Sequence, residues 1–327
     1  MTSQNTIASV SVDLDAVGCY WRIHALPGQP PENSRHAILR RCLPRFAELF
    51  ARLDIAATFF VVGQDLVDDR DGRRLLADLA AAGHELASHT HTHPYDLVRL
   101  PANRIAGEID RAHQEIAACA GRAPVGFRAP GYEVSAQVLE LLCQRSYQYD
   151  SSAFPSVPYY GAKAAVMLAM RLAGRASGSI LGSPRVLSAP AYPYHPAAQD
   201  PYRRGDLPLL ELPMAVTPLL RLPVIGTSVI TAPTWLRTHL IAACLSRPFF
   251  NLELHGIDLA DAAADQLPSA LVARQPDLRR PLAAKLGALE SALLQIRAAG
   301  ATFQTLAAVS AGGVAPDRLA APGPTFP

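Results

Sequence analysis

Gly83-His84-Glu85-Leu86-Ala87-Ser88-His89-Thr90-His91-Thr92-His93-Pro94 decides how this chain is read. A glycine stops the helix before it, residues 84–88 read as a strand, and three imidazoles follow in five residues. Imidazoles at that density are expensive to leave unpaired in a core, and histidine is a very common metal ligand. In a turn, His89 and His93 can converge on one ion while His91 points elsewhere. A solvated, histidine-rich loop is the plainer reading of the same residues.

Upstream, residues 57–62 (ATFFVV) form an apolar run closed by Gly63, as suits a strand buried on both faces. Residues 7–12 read as another strand, which runs into Val12-Asp13-Leu14-Asp15. Asp13 and Asp15 share one face of a strand, because its side chains alternate with a period of two. Carboxylates that close repel unless a cation or a proton is shared. Between these strands, residues 36–53 carry apolar side chains at helical spacing, with Pro44 predicting a kink or a later start. Residues 73–82 are an Ala/Leu-rich helix stopped by Gly83.

Downstream the alternation continues. Helices are expected over 103–120, 135–144 (Ser135 as N-cap), 234–245 and 282–298. Strands are expected at 125–127, 148–150, 209–212, 249–254 and 302–304. Repeated β-α units predict an α/β parallel sheet, and about seven strands suit a closed or nearly closed barrel better than a small open sheet. Residues 155–207 break the rhythm: they are rich in Pro, Tyr and Gly around a helix at 162–173, and read as an insertion over the barrel mouth. The barrel is expected to occupy 1–312 and a flexible tail 313–327.

Composition narrows the function. The 327 residues hold 30 basic and 28 acidic side chains, a balance without the electrostatic footprint of a nucleic-acid binder. No GxGxxG or Walker-type loop follows a strand, so nucleotide binding is set aside. There is no apolar run of transmembrane length, and the first residues lack the pattern of a signal peptide, so a cytoplasmic location is expected. Five scattered cysteines without a CxxC pair read as free thiols.

Two further motifs carry chemistry. Gly126-Phe127-Arg128-Ala129-Pro130-Gly131-Tyr132 sets an arginine at a strand end before a Pro-Gly turn, and Leu252-Glu253-Leu254-His255 ends an apolar strand on an imidazole. Taken singly, these are a structural turn with a surface arginine and a packed or capping histidine. Together with the aspartate pair and the histidine cluster they lie in chain order at the ends of successive strands, where α/β barrels gather catalytic groups.

In this the chain resembles the polysaccharide deacetylases (NodB homology domain, carbohydrate esterase family four). Their motifs are a paired-aspartate strand, H-[ST]-x-x-H, R-x-P and a late Leu-x-His, and the likeness spans roughly residues 7–310 less the insertion. The resemblance implies a distorted (β/α)7–8 barrel and one divalent ion, zinc first, with cobalt, nickel or manganese compatible. It implies that Asp15, His89 and His93 are the metal ligands. Asp13 becomes the general base, Arg128 its partner, His255 the general acid and Asp150 the carboxylate that tunes that acid. A backbone N–H near Gly131 and Tyr132 becomes the oxyanion donor. The spacing D-x-D, where the family usually has adjacent aspartates, resembles a cytoplasmic branch that acts on peptidoglycan or on small or lipid-linked substrates. R-A-P-G-Y stands where the family has R-P-P-Y-G, which puts in doubt which N–H serves the oxyanion.

The implied reaction is N-deacetylation of an N-acetylated amino sugar. Alternatives are deacylation or deformylation of a lipid-linked amino sugar, a silent sugar-binding module, and an allantoinase-like hydrolase of cyclic amides. Residues 162–175, with Lys163, Arg171 and Arg175, read either as a helix on the barrel or as a peripheral membrane contact. The apolar segment 216–230 reads as an acyl groove or as core. Oligomeric state is not legible.

Overall fold

The computed structural model describes residues 6–312; the expected tail, 313–327, lies outside them. Eight strands make one parallel sheet: β1 (Ile7–Asp13), β2 (Thr58–Val61), β3 (Glu85–Ser88), β4 (Gly126–Phe127), β5 (Tyr149–Asp150), β6 (Leu210–Glu211), β7 (Phe249–His255) and β8 (Thr302–Phe303). The order is β6-β5-β4-β3-β2-β1-β7, with β8 beside the start of β1. The sheet curls until its edges meet. Ala215 N–H donates to the Asn251 carbonyl at 3.0 Å, and Asn251 Nδ2 donates to the Leu212 carbonyl at 3.1 Å. The result is the distorted β/α barrel expected from the sequence.

Alternation along β1 explains how the barrel is filled. Ala8, Val10 and Val12 are fully buried in the main apolar cluster between sheet and helices. Ser9, Ser11 and Asp13 are as deeply buried but take the other face, and β7 repeats the scheme with Phe250, Leu252 and Leu254 against Asn251, Glu253 and His255. The barrel lumen is therefore polar, and several of its groups are hydrogen-bonded to one another, as burial favours. Ser11 Oγ donates to Asn251 Oδ1 (3.3 Å), and Thr58 Oγ1 donates to Glu85 Oε2 (2.7 Å).

The longer helices are α1 (Leu43–Arg52), α2 (Arg70–Ala81), α3 (Ala102–Ala120), α4 (Ala136–Gln144), α5 (Val157–Leu172), α6 (Thr234–Cys244) and α7 (Leu282–Ala298). Pro44 acts as expected: a π-turn over Ile38–Cys42 precedes α1, and Pro44 falls in the first turn of α1, where a missing N–H costs little. Ser135 caps α4, its Oγ accepting from Val138 N–H at 3.3 Å. Within 155–207, α5 begins at Val157, ahead of the expected 162. Ser156 Oγ accepts from Tyr159 N–H and Pro158 takes an early helical position, so the cap lies further upstream than the Ala/Met pattern suggests. A hairpin of Pro196–Ala197 and Asp200–Arg204 follows. In the segment 216–230, Val216, Val224, Ile225, Val229 and Ile230 are buried core, not a groove; of its apolar side chains Leu219 and Leu220 stand out in solvent.

One buried pair makes stability depend on pH. Asp150 on β5 stands opposite Glu211 on β6, both fully enclosed. Burial, and then the Asp150 carboxylate, hold Glu211 well above the usual carboxylate range; burial lifts Asp150 as well. A raised folded-state pKa gives stability that is complete below the ordinary glutamate range and lost as pH rises through the raised value. Glu211→Gln, neutral throughout, is expected to escape this loss. Denaturant titration across pH should show wild type falling behind the variant by about 1.4 kcal/mol for each pH unit between the ordinary glutamate range and the raised value, where folded Glu211 keeps its proton and the unfolded chain does not. A constant difference would contradict the shared-proton arrangement.

Candidate active site

His89 follows β3 directly, His93 lies one turn further, and Asp15 follows β1. Their ligating atoms converge: Asp15 Oδ1 lies 3.2 Å from His89 Nε2 and 3.1 Å from His93 Nε2. The turn that achieves this is strained. Thr90 and His93 both adopt left-handed backbone (φ 66° and 56°), which is costly for residues with a Cβ and recurs at functional sites. Two side chains hold it. Thr90 Oγ1 accepts from His93 N–H, and Glu108 of α3 accepts from the N–H groups of His91 and Thr92 at 3.0 and 2.7 Å. His89 Nδ1–H donates to the Arg128 carbonyl at 2.7 Å, which fixes the tautomer and turns the Nε2 lone pair toward Asp15. His91 points away and packs against Gly63, where a Cβ would lie 2.9 Å from its ring.

This trio fits a divalent cation. Asp15 Oδ1 and His93 Nε2 are buried without a hydrogen-bond partner, an unfavourable state unless a cation takes their lone pairs. Mixed oxygen and nitrogen donors within 4.8 Å of one another are the set that borderline divalent metals take. Burial acts against the Asp15 charge, yet His93 and His89 hold its carboxyl well below the usual range.

A second trio, Asp13, Glu253 and His255, lies alongside. Its charges face opposite charges, although both Glu253 carboxylate oxygens are buried without a hydrogen bond. Arg128 Nη1 donates to Asp13 Oδ1 at 2.5 Å, and Glu253 Oε1 lies 2.8 Å from His255 Nδ1. Burial lifts the Asp13 carboxyl above the ordinary range against the pull of Arg128, which suits a base. Burial pulls the His255 imidazole down, but Glu253 and the two aspartates carry it well above its ordinary range, which suits an acid. His255 Nε2 faces Tyr132 Oη at 3.3 Å and Asp15 Oδ2 at 3.9 Å.

Asp15 and His89 of the first trio and Asp13 and His255 of the second line one cavity of about 310 Å³. The Pro130-Gly131-Tyr132 turn borders it, with Gly131 and Tyr132 left-handed (φ 65° and 67°). Of the two amides expected to serve an oxyanion, that of Tyr132 is taken by the Ala129 carbonyl at 3.0 Å. The Gly131 N–H is the amide of this turn without a partner among the described residues. Tyr20 lines the same cavity, and its hydroxyl is buried with no partner among the described residues.

Residues 36–149 match the polysaccharide deacetylase family model. Over that segment the chain is similar to the polysaccharide deacetylases. It is 26% identical over 161 residues to a peptidoglycan deacetylase of Helicobacter pylori, covering 48% of this chain and 54% of that protein. It is 34% identical over 90 residues to a chitooligosaccharide deacetylase of a Bradyrhizobium species, covering 27% and 39%. The chain thus spans about half or less of the length of these relatives. Among solved structures, a Mycobacterium smegmatis protein described as a candidate polysaccharide deacetylase superposes with a TM-score of 0.61 at 19% identity, covering 100% of this chain and 96% of that one, which shows the fold.

At this site one expected member is elsewhere. Asp150 does not face His255; it accepts from Ser152 Oγ at 2.6 Å and pairs with Glu211 in the sheet. The carboxylate at His255 is Glu253, two residues before it on β7. The period of two in Glu253-Leu254-His255 already put both on one face, but an acidic residue inside an apolar strand gave no sign of its partner. Glu108 and Tyr20 were likewise invisible, since each acts through a contact distant in sequence.

Chain-specific ligation gives a direct check. Zinc, cobalt or nickel at about a hundred times its dissociation constant is expected to stabilise the wild type by about 2.7 kcal/mol. His93→Ala should abolish this gain. An equal gain in the variant would remove His93 from the ligand set.

Proposed function

We propose that this chain is a metal-dependent N-deacetylase that hydrolyses the amide of an N-acetylated amino sugar. One observation carries the reading: Asp15 and His89 of a buried Asp-His-His trio share a cavity with Asp13, paired to Arg128, and His255, paired to Glu253. The two curated relatives, a peptidoglycan and a chitooligosaccharide deacetylase, support the substrate class.

Asp15, His89 and His93 would hold the ion, zinc first, with cobalt, nickel and manganese compatible. When bound, such an ion supplies Lewis acidity, lowering the pKa of water and polarising the amide carbonyl. The residues of the chain do the rest. The Asp13 carboxylate takes a proton from the attacking water, and Arg128 fixes its orientation. The Gly131 N–H is placed to donate to the oxyanion of the tetrahedral species, and the Tyr20 hydroxyl to a polar group of the substrate. His255 Nε2 gives its proton to the departing amine. Glu253 holds the ring by Nδ1 and stabilises the imidazolium beforehand.

The complete set of ligands, base and acid disfavours a silent binding module and the cyclic-amide alternative. A cytoplasmic location is supported by five cysteines that are all free. Among the described residues no helix is long and apolar enough to cross a membrane.

Acetate release from N-acetylglucosamine oligomers is the test. Chelation should abolish it and zinc restore it. Asp13→Asn and His255→Gln are each expected to lower kcat by about a hundredfold or more, with the ion still bound. Release that survives chelation, or full activity in Asp13→Asn, would overturn the mechanism. Glu253→Gln should lower kcat at least tenfold with little change in KM, since it acts through His255. A change confined to KM would refute that role.

A further inference from the structure

Helix α5 carries apolar bulk yet buries none of its residues. Tyr159, Lys163, Met167 and Met170 recur on it at helical spacing, and all line the cavity that contains Asp13, Asp15 and His255. Val166 lines it too while remaining 58% exposed. Ile23, at the end of the short helix Val17–Ile23, adds apolar surface to the same cavity. An amphipathic helix ordinarily lays its apolar stripe on a core. This one lays it over about 310 Å³ of open space continuous with the catalytic groups.

The chemistry of that space is one-sided. Two of the four methionines of the chain border it, and methionine adapts to irregular apolar ligands. The charged and short polar side chains on and beside this helix, Lys163, His24 and Ser177, are engaged elsewhere. Lys163 Nζ lies 3.3 Å from Glu133 Oε1 and from the Gly131 carbonyl, and His24 Nε2 lies 2.9 Å from Gln275 Oε1. Ser177 Oγ donates to the Ile23 carbonyl at 2.8 Å. Successive sugar hydroxyls laid here would give up water for few partners, which is unfavourable. An alkyl chain has no such loss and gains with every methylene buried.

We infer that the substrate is an N-acyl amino sugar bearing an alkyl chain, and that Ile23, Val166, Met167 and Met170 form the subsite for that chain. This rests on the amidase reading above. The chain belongs to the substrate itself, as a longer N-acyl group or as an alkyl substituent on the sugar. In either case the same apolar wall receives it.

Calorimetric titration of the full chain separates these sources. One series is the methyl, butyl and octyl glycosides of N-acetylglucosamine; the other is N-acetyl-, N-butanoyl- and N-octanoylglucosamine. In one series Kd is expected to fall roughly two- to fourfold per added methylene, and the series that responds identifies the source. The Met167→Gln, Met170→Gln double variant should flatten that slope; both side chains are only half-buried, so the fold tolerates the change. A Kd that is flat or rises with chain length in both series overturns the inference, as does a slope that the double variant leaves intact. Acetate or acyl release measured in parallel keeps the two readings apart. Hydrolysis without chain-length dependence strikes at the alkyl subsite alone, whereas chain-dependent binding without hydrolysis strikes at the amidase reading alone.

Discussion

Arg128 lies wholly inside the barrel, and the site is arranged around its guanidinium. Nη1 donates to Asp13, Nη2 to the hydroxyls of Ser11 and Ser151, and Nε to the Ser151 carbonyl. Its face rests on Phe60 at 4.1 Å. A buried guanidinium is tolerable only when its donors are satisfied, so the lumen has to be polar. That requirement explains Ser11 of β1, Ser151 just after β5 and Asn251 of β7. Its backbone carbonyl meanwhile sets the tautomer of His89. One residue thus links Asp13 to His89, and removing it would leave Asp13 as an uncompensated buried charge, at a cost of about 3–5 kcal/mol.

Around that centre the site separates two kinds of charge. Asp13 and His255 face each other across β1 and β7 in register, and each has its own counter-ion. Asp15 is two residues beyond β1 and its carboxylate is approached by the imidazoles of His89 and His93. The intervening Leu14 is buried among the outer apolar residues, so D-x-D places both carboxylates at the lumen with an anchor between them. The left-handed residues Thr90, His93 and Tyr132 occur where the backbone must bring side chains to this point, and Glu108 and Thr90 hold the histidine turn there.

Much of this was legible in the sequence because it rests on short-range periodicity. The alternation of β1 put Asp13 and Asp15 on one face, and His89-x-x-x-His93 brought two imidazoles to one point. The strand and helix order followed from apolar runs and glycine stops. What was not legible depends on contacts between distant segments. Glu253 looked like a polar interruption of an apolar strand until the curl of the sheet set it beside Arg128 and His255. Asp150 belongs to a sheet pair whose partner, Glu211, lies beyond the insertion. The Tyr132 amide is consumed by a local turn, a detail of φ and ψ that residue types do not specify. For 216–230, composition could not distinguish a groove from a core; burial of Val216, Val224 and Ile230 resolves it.

The central claim is that the ion belongs to the orphaned trio and not to the charge-paired one beside it. Anomalous diffraction at the zinc edge from zinc-loaded crystals tests this most directly. The account predicts one peak at full occupancy, ligated by Asp15, His89 and His93, with Asp13 still bonded to Arg128. A peak bounded by Asp13, Glu253 and His255, or no peak at either trio, would contradict it.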